Sequence, residues 1–214
     1  MDKIAVKFGD WFQEGIELYK NNLNLLIPAT FIALVLSCTF ILAGPMIVSL
    51  LLMILRLHDK TKPDPELKDI FQGFDLFVPS LLFVLAWTVV FVIVNTILAL
   101  IPCIGHLLSL LLDIVGPTFL MFGLFVIAEK NKDFWTASLE SIDKVKLNFL
   151  PLLGLFIVSS IIGLIGIIAC GIGLIVTIPI HLCILTIVYR NVFGTSVPVE
   201  IGLEPDTEDN SPAS

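Results

Sequence analysis

Charged side chains are scarce in this chain of 214 residues. Asp, Glu, Lys and Arg account for 14% of it, whereas about a quarter of a typical soluble domain is charged. Hydrophobic residues account for 57%, and the mean hydropathy is +1.01. The shortage of charge therefore excludes a water-soluble surface and indicates a membrane protein.

Motifs for catalysis and cofactor binding are also lacking. The sequence has no Ser/His/Asp set, no HExxH motif, no P-loop and no glycine-rich dinucleotide motif. Acid–base chemistry would be hard to assemble from its three histidines and few buried acids, so we expect no enzyme, no cofactor and no metal site. The basic residues form no cluster suited to nucleic acid, so no nucleic-acid partner is expected either.

Long apolar runs are the main feature that is present. They cover residues 23–55, 77–128 and 149–189, each too long for one span of about 20 residues. Glycine and proline favour turns inside the runs, at residues 43–45, 102–105 and 170–173. The pattern predicts an all-α, polytopic transmembrane helix bundle with six spans arranged as three hairpins. Residues 1–194 would form one membrane domain, and residues 195–214 an acidic, disordered cytoplasmic tail.

The first run is short for two spans. Its 33 residues cannot supply two spans of about 20 residues each. Either its helices borrow flanking residues and thin the bilayer, or the hairpin is partly re-entrant. One long span is the third option, and it would place Lys3, Lys7 and Lys20 outside.

All basic residues lie on one side of this arrangement. None of the 12 falls in the three short turns; they are Lys3, Lys7, Lys20, Arg56, Lys60, Lys62, Lys68, Lys130, Lys132, Lys144, Lys146 and Arg190. By the positive-inside rule that side is cytoplasmic, which places both termini in the cytoplasm.

An amphipathic stretch precedes each predicted hairpin. Its aromatic side chains share one face, with Trp11 in the first stretch, Phe71 and Phe74 in the second, and Trp135 in the third. Short helices of this kind lie in the membrane interface with their rings inward, so these four residues are predicted to be interfacial anchors. Alternatively, the stretches pack under the bundle as connectors.

A proline recurs at matched depth in the second helix of each predicted hairpin. Pro45 and Pro179 each stand eleven residues before an arginine, and Pro117 stands twelve before Glu129. Each proline is predicted to kink its helix. Together with the repeated order of segments, the spacing predicts three copies of one unit, at about residues 1–60, 61–130 and 131–194.

Asp113 is an acid inside an apolar segment, where charge is costly and suggests function. His106 lies seven residues earlier on the same helical face, and Pro117 frees the Asp113 carbonyl from its helical hydrogen bond. These features predict a cation or proton site at Asp113 and His106. Alternatively, Asp113 reaches the outer headgroup zone, where an acid costs little.

Two of the four cysteines fall in turns on the predicted outer face. Cys103 and Cys170 are predicted either to form a disulfide, which an oxidising compartment permits, or to be small residues in tight turns. A stripe of small residues lies on one face of the predicted fifth span and consists of Ser159, Gly163, Gly166 and Cys170. The stripe predicts close helix packing, within the monomer or in a homo-oligomer.

Short motifs along the chain carry a family resemblance. They are Gly44-Pro45, DIFQGF at residues 69–74, ASLES at 137–141, and ACGIGLIVTIP at 169–179, followed by Tyr189-Arg190. In this order they resemble small bacterial integral-membrane proteins of uncharacterised function, similar to the membrane domain attached to some glycerophosphoryl diester phosphodiesterases. The hydrolase domain is absent from this chain. The resemblance therefore implies a bacterial cytoplasmic membrane and no phosphodiesterase activity.

These patterns predict a non-enzymatic membrane protein that acts through helix packing, lipid contact or envelope protein partners. Sparse polar residues in the spans and three interfacial helices on one side favour it. The alternative is a small transporter or channel subunit that uses Asp113 and proline-kinked helices.

Overall fold

The computed structural model describes residues 8–168 and 172–194, and this part of the chain is helical without strands. The predicted all-α class is confirmed. In chain order the helices are α1 Phe8–Asn21, α2 Leu23–Ser37, α3 Ala43–Asp59, a 3₁₀ helix Leu67–Leu76, α4 Phe77–Ala99, α5 Ile104–Leu120, α6 Gly123–Lys130, α7 Phe134–Leu147, α8 Phe149–Ile168 and α9 Ile172–Phe193.

Three helical segments of the described residues are long and apolar enough to cross a membrane. They are Leu67–Ala99, Ile104–Lys130 and Gly173–Phe193. A fourth is added if α7 and the first part of α8, bent by 108° at their junction, count as one span. By length and composition the chain is therefore a membrane protein, with three to four candidate spans within residues 8–168 and 172–194.

The first apolar run forms two helices in contact, α2 and α3, rather than one long helix. Residues 38–42 separate them, and Phe40 takes a left-handed φ of 59° in that turn. With 15 and 17 residues, the helices are about 22 and 26 Å long, which is short for a ~30 Å hydrocarbon core. A second turn separates α4 from α5 at residues 100–103, and the third predicted turn falls partly on residues 169–171, outside the described ranges.

α3 is the central helix of the structure. Its side chains are buried without interruption from Met46 to Leu55, apart from the half-buried Ile47. A helix that is apolar all round must be surrounded, and α3 packs against α2, the 3₁₀ helix, α4, α6 and α9. α4 and the first part of α5 instead expose most of their apolar side chains.

Pro45 lies in the first turn of α3, so it begins a helix and does not kink one. The first turn has no intrahelical partners for its N–H groups, so a proline there breaks no hydrogen bond. Pro117 and Pro179 do lie inside their helices, α5 and α9, and Pro28 lies inside α2.

Glycines allow two helices to touch α3 closely. The Gly73 N–H donates to the Ser49 hydroxyl over 2.9 Å, and that hydroxyl donates to the Pro45 carbonyl over 3.0 Å. A Cβ at Gly44 would lie 2.7 Å from the carbonyl oxygen of Ser80 on α4. The motifs around Gly44 and Gly73 are therefore points of helix packing.

Candidate functional site

A cluster of charged side chains joins the ends of three helices. Arg190, in the last turn of α9, donates from Nη1 to Glu129 and from Nη2 to Asp59, with a further bond of 3.1 Å from Nε to Asp59. The Tyr189 hydroxyl also donates to Glu129. The side chains of Arg190 and Glu129 are each 7% exposed, so water screens this pair little.

The helices that carry the two carboxylates explain why the arginine is needed. Asp59 is the last residue of α3, and Glu129 is next to last in α6. A carboxylate there meets the negative end of the helix dipole and also loses water on burial. Arg190 supplies several donors in a fixed fork, which satisfies both acids at once. His58 adds a further contact, with its Nδ1 2.8 Å from the Asp59 carboxylate.

Aromatic rings and a second ion pair surround the cluster. Tyr189 stacks on Phe125 at 4.9 Å between ring centroids and on Phe193 at 4.5 Å. Lys130 pairs with Glu140 of α7 and lies 5.1 Å from the centre of the Phe193 ring. Low polarity strengthens the interactions inside, and it raises the cost of leaving any one of them unmade.

The cluster is poorly suited to acid–base catalysis, because its carboxylates already have hydrogen-bond partners within the protein. A general acid or base must reach a substrate proton within hydrogen-bond distance. Here Glu129 is held by Arg190 and Tyr189, and Asp59 is held by Arg190 and His58. The arrangement can lock three helix ends together, and sequence reasoning missed it. The usable signal was the similar spacing from Pro117 to Glu129, twelve residues, and from Pro179 to Arg190, eleven residues.

A second polar site lies between α4 and α5. The Asn95 side-chain amide donates to the Asp113 carboxylate over 2.9 Å and to the Phe91 carbonyl over 3.1 Å. His106, the predicted partner of Asp113, is exposed and takes part in no hydrogen bond or ion pair within the described ranges. Seven residues along a helix span about 10 Å, so sharing a face did not bring the two into contact. Asp113 therefore has an amide partner that the sequence pattern did not indicate.

Comparison of the chain with protein-family models, curated proteins and solved structures gives no match. Among residues 8–168 and 172–194, no three His, Cys, Asp or Glu side chains converge in a way that could hold a metal ion. The role of each polar site must therefore be inferred from its own contacts.

Serines of α7 connect that helix to α4, α5 and α6. The Ser141 hydroxyl donates to the Phe119 carbonyl over 2.7 Å and accepts the Phe122 N–H over 3.2 Å, which satisfies the backbone where α5 ends and α6 begins. The Trp87 indole N–H donates to the Ser138 hydroxyl over 2.9 Å. These contacts give the ASLES motif at residues 137–141 a packing role.

The start of α7 is capped by an acid. The Asp133 carboxylate accepts the Thr136 backbone N–H over 3.0 Å, and hydrogen bonding to Thr136 lowers the pKa of Asp133. A carboxylate also suits the positive end of the helix dipole at this position.

The four predicted interfacial anchors differ in exposure. Trp135 is 56% exposed, whereas Trp11 is 4% exposed and belongs to the protein core. Phe71 and Phe74 are exposed, with stacked rings 6.2 Å apart, because the three residues per turn of a 3₁₀ helix align them. Three of the four predicted anchors are thus exposed, whereas Trp11 is buried within the protein.

The predicted disulfide stays a prediction. Cys103 is exposed in the turn before α5, where its φ of 62° is left-handed. Cys170 lies outside the described residues.

Proposed function

We propose that this chain is a non-enzymatic multi-pass membrane protein that acts through helix packing, lipid contact or envelope protein partners. The observation that carries the proposal is that both acids of the Arg190 cluster, Asp59 and Glu129, are already paired within the protein. Its acids are occupied by Arg190, Tyr189 and His58, and the Arg190 and Glu129 side chains are almost fully buried. Such a cluster stabilises one packing arrangement of helices and leaves no group free for substrate.

Lipid contact is supported by the surface of α4 and α5. Large apolar side chains are exposed along both helices, among them Val92, Leu107 and Leu110, and Leu100 is exposed in the turn between them. A contiguous apolar surface of this extent needs a membrane or a protein partner to cover it.

The proposed topology has six spans in three hairpins, with both termini in the cytoplasm. Two observations support it. The Arg190 contacts bring the ends of α3, α6 and α9 to one level, as expected if each of these helices returns to the same side. All basic residues also fall outside the short turns, which favours that side as cytoplasmic. The family resemblance adds the bacterial cytoplasmic membrane as the location.

Cysteine labelling tests the topology. With Cys38, Cys170 and Cys183 changed to alanine, Cys103 is expected to react with an impermeant maleimide in intact cells. In the background that also lacks Cys103, Lys62→Cys and Lys132→Cys should react only after the membrane is permeabilised. Labelling of Cys103 solely from the cytoplasmic side would contradict the six-span arrangement.

Transport is the second candidate function, and the Asn95–Asp113 contact favours it. A carboxylate with an amide partner between two apolar helices, one turn from Pro117, could bind a cation or proton. Ion flux into proteoliposomes decides between the candidates. We expect no flux above that of protein-free liposomes. Flux that is lost in Asp113→Asn and kept in Asp143→Asn, an exposed acid on α7, would support transport instead.

A further inference from the structure

A cleft lies where α7 crosses the pair formed by α4 and α5. Its volume is about 260 Å³, and its walls are apolar except for one charged side chain. Trp87, Phe91 and Val94 line it from α4, Leu112 and Gly116 from α5, and Lys146 from α7.

The packing of the walls keeps the cleft open. The bond from Trp87 to Ser138 holds one end of the α4 wall against α7. A Cβ at Gly116 would lie 2.5 Å from the Phe91 ring, so the ring already fills the space in front of that glycine and sets the separation of α4 from α5. The contacts among α4, α5 and α7 therefore define the cleft.

The length of the cleft matches a lipid chain entering the bilayer. From Trp87 to Val94 the α4 wall runs about 10 Å at the rise of an α-helix. One leaflet of the hydrocarbon core is about 15 Å thick, half of the ~30 Å total. A lipid chain seated here would therefore contact α4 over a length close to most of the thickness of one leaflet.

The charge at the rim selects the kind of lipid. Lys146 is 61% exposed, and its Nζ lies 3.6 Å from the Asp143 carboxylate, which is itself 76% exposed. Exposed pairs of this kind are weak, so Lys146 can engage another anion. Lys144 on the same helix faces elsewhere, with its Nζ 5.5 Å from the centre of the Phe193 ring.

We propose that this cleft binds one anionic phospholipid, with an acyl chain between Phe91 and Leu112 and the phosphate at Lys146. The inference rests on the proposed membrane placement and gives its lipid contact a specific site. Two features of the cleft identify this ligand. Its apolar walls can bind an acyl chain, and the positive charge of Lys146 favours a negatively charged headgroup.

Trp87 is a built-in reporter for this site. In a protein with Trp11→Phe and Trp135→Phe, Trp87 fluorescence is measured in liposomes that contain a small fraction of brominated phosphatidylglycerol or brominated phosphatidylcholine. We expect the anionic lipid to occupy the site roughly fivefold more at equal mole fraction, and the preference to shrink as salt is raised. Lys146→Gln should abolish the preference, whereas Lys144→Gln, which removes the same charge two residues away, should retain it.

Two results would overturn the proposal. Equal quenching by both lipids in the parent protein would show that the headgroup is not selected, and a preference that survives Lys146→Gln would show that Lys146 does not select it. If neither brominated lipid quenched Trp87, the cleft would lie outside the bilayer. That outcome would contradict the proposed membrane placement itself, so the two failures are distinguishable.

Discussion

Replacing Arg190 with methionine is expected to lower the free energy of unfolding by about 3–5 kcal/mol, the range for removing one partner of a buried ion pair. Methionine fills part of the space of the arginine side chain, so the loss of stability reflects mainly the removal of the guanidinium charge. Asp59 and Glu129 would be left as two neighbouring carboxylates with little compensation at the ends of two helices. Reversible unfolding in mixed micelles at increasing SDS fraction, followed by circular dichroism, measures the change.

Two further variants isolate the role of burial. Lys68 pairs with Glu66 over 2.9 Å at the surface, with side chains 76% and 64% exposed, so Lys68→Met should leave the unfolding midpoint unchanged. The triple variant Asp59→Leu, Glu129→Met and Arg190→Met should recover most of the lost stability, because a buried ion cluster is often replaced by apolar residues without cost. If Arg190→Met were as stable as the parent protein, the cluster would not hold the helices together.

The helices and the first two turns were predictable from hydropathy, but the position of each turn was not. The turns were predicted at residues 43–45 and 102–105, and they occupy residues 38–42 and 100–103. Proline fits the first turn of a helix, so the Gly44-Pro45 pair marks where α3 starts rather than the turn before it. Pro45 fits this description as the third residue of α3.

The aromatic pattern indicated which face of a short helix is apolar, but not what covers that face. Trp11 and Trp135 occupy similar places in the predicted pattern, yet Trp11 is buried and Trp135 is exposed. α1 packs against α9, where Gly15 comes so close that a Cβ would lie 2.8 Å from the Ile184 Cα. Periodicity is the same for a face that meets protein and one that meets lipid, so only the tertiary contacts could separate them.

The polar sites were predictable only where charge stood out against an apolar background. Asp113 was found for that reason. Its partner Asn95 was not, because it lies 18 residues away and the register of α4 against α5 decides which side chains meet. The acids that meet Arg190 were missed because charged residues at the ends of spans are by default assigned to the membrane–water interface. Their separations of 61 and 131 residues leave no local pattern.

One methyl group added at Gly73 is expected to destabilise the protein by about 3 kcal/mol, the upper end of the usual cost of overpacking. A Cβ there would lie 2.2 Å from both the Pro45 carbonyl oxygen and the Ser49 hydroxyl oxygen. The Pro45 carbonyl belongs to the backbone of α3, which is buried from Met46 to Leu55 apart from Ile47, so this oxygen cannot move without displacing the helix. The bond from the Gly73 N–H to the Ser49 hydroxyl would be stretched at the same time.

Gly163→Ala is the matched control for Gly73→Ala, because a Cβ at Gly163 of α8 would meet nothing within 4 Å. Alanine costs less backbone entropy than glycine in a helix, so this variant should be as stable as the parent or gain up to about 1 kcal/mol. Unfolding of both variants in the same mixed micelles gives the comparison. Equal stabilities of Gly73→Ala and Gly163→Ala would mean that the 3₁₀ helix does not approach α3 closely. One of the main packing contacts of α3 would then be absent.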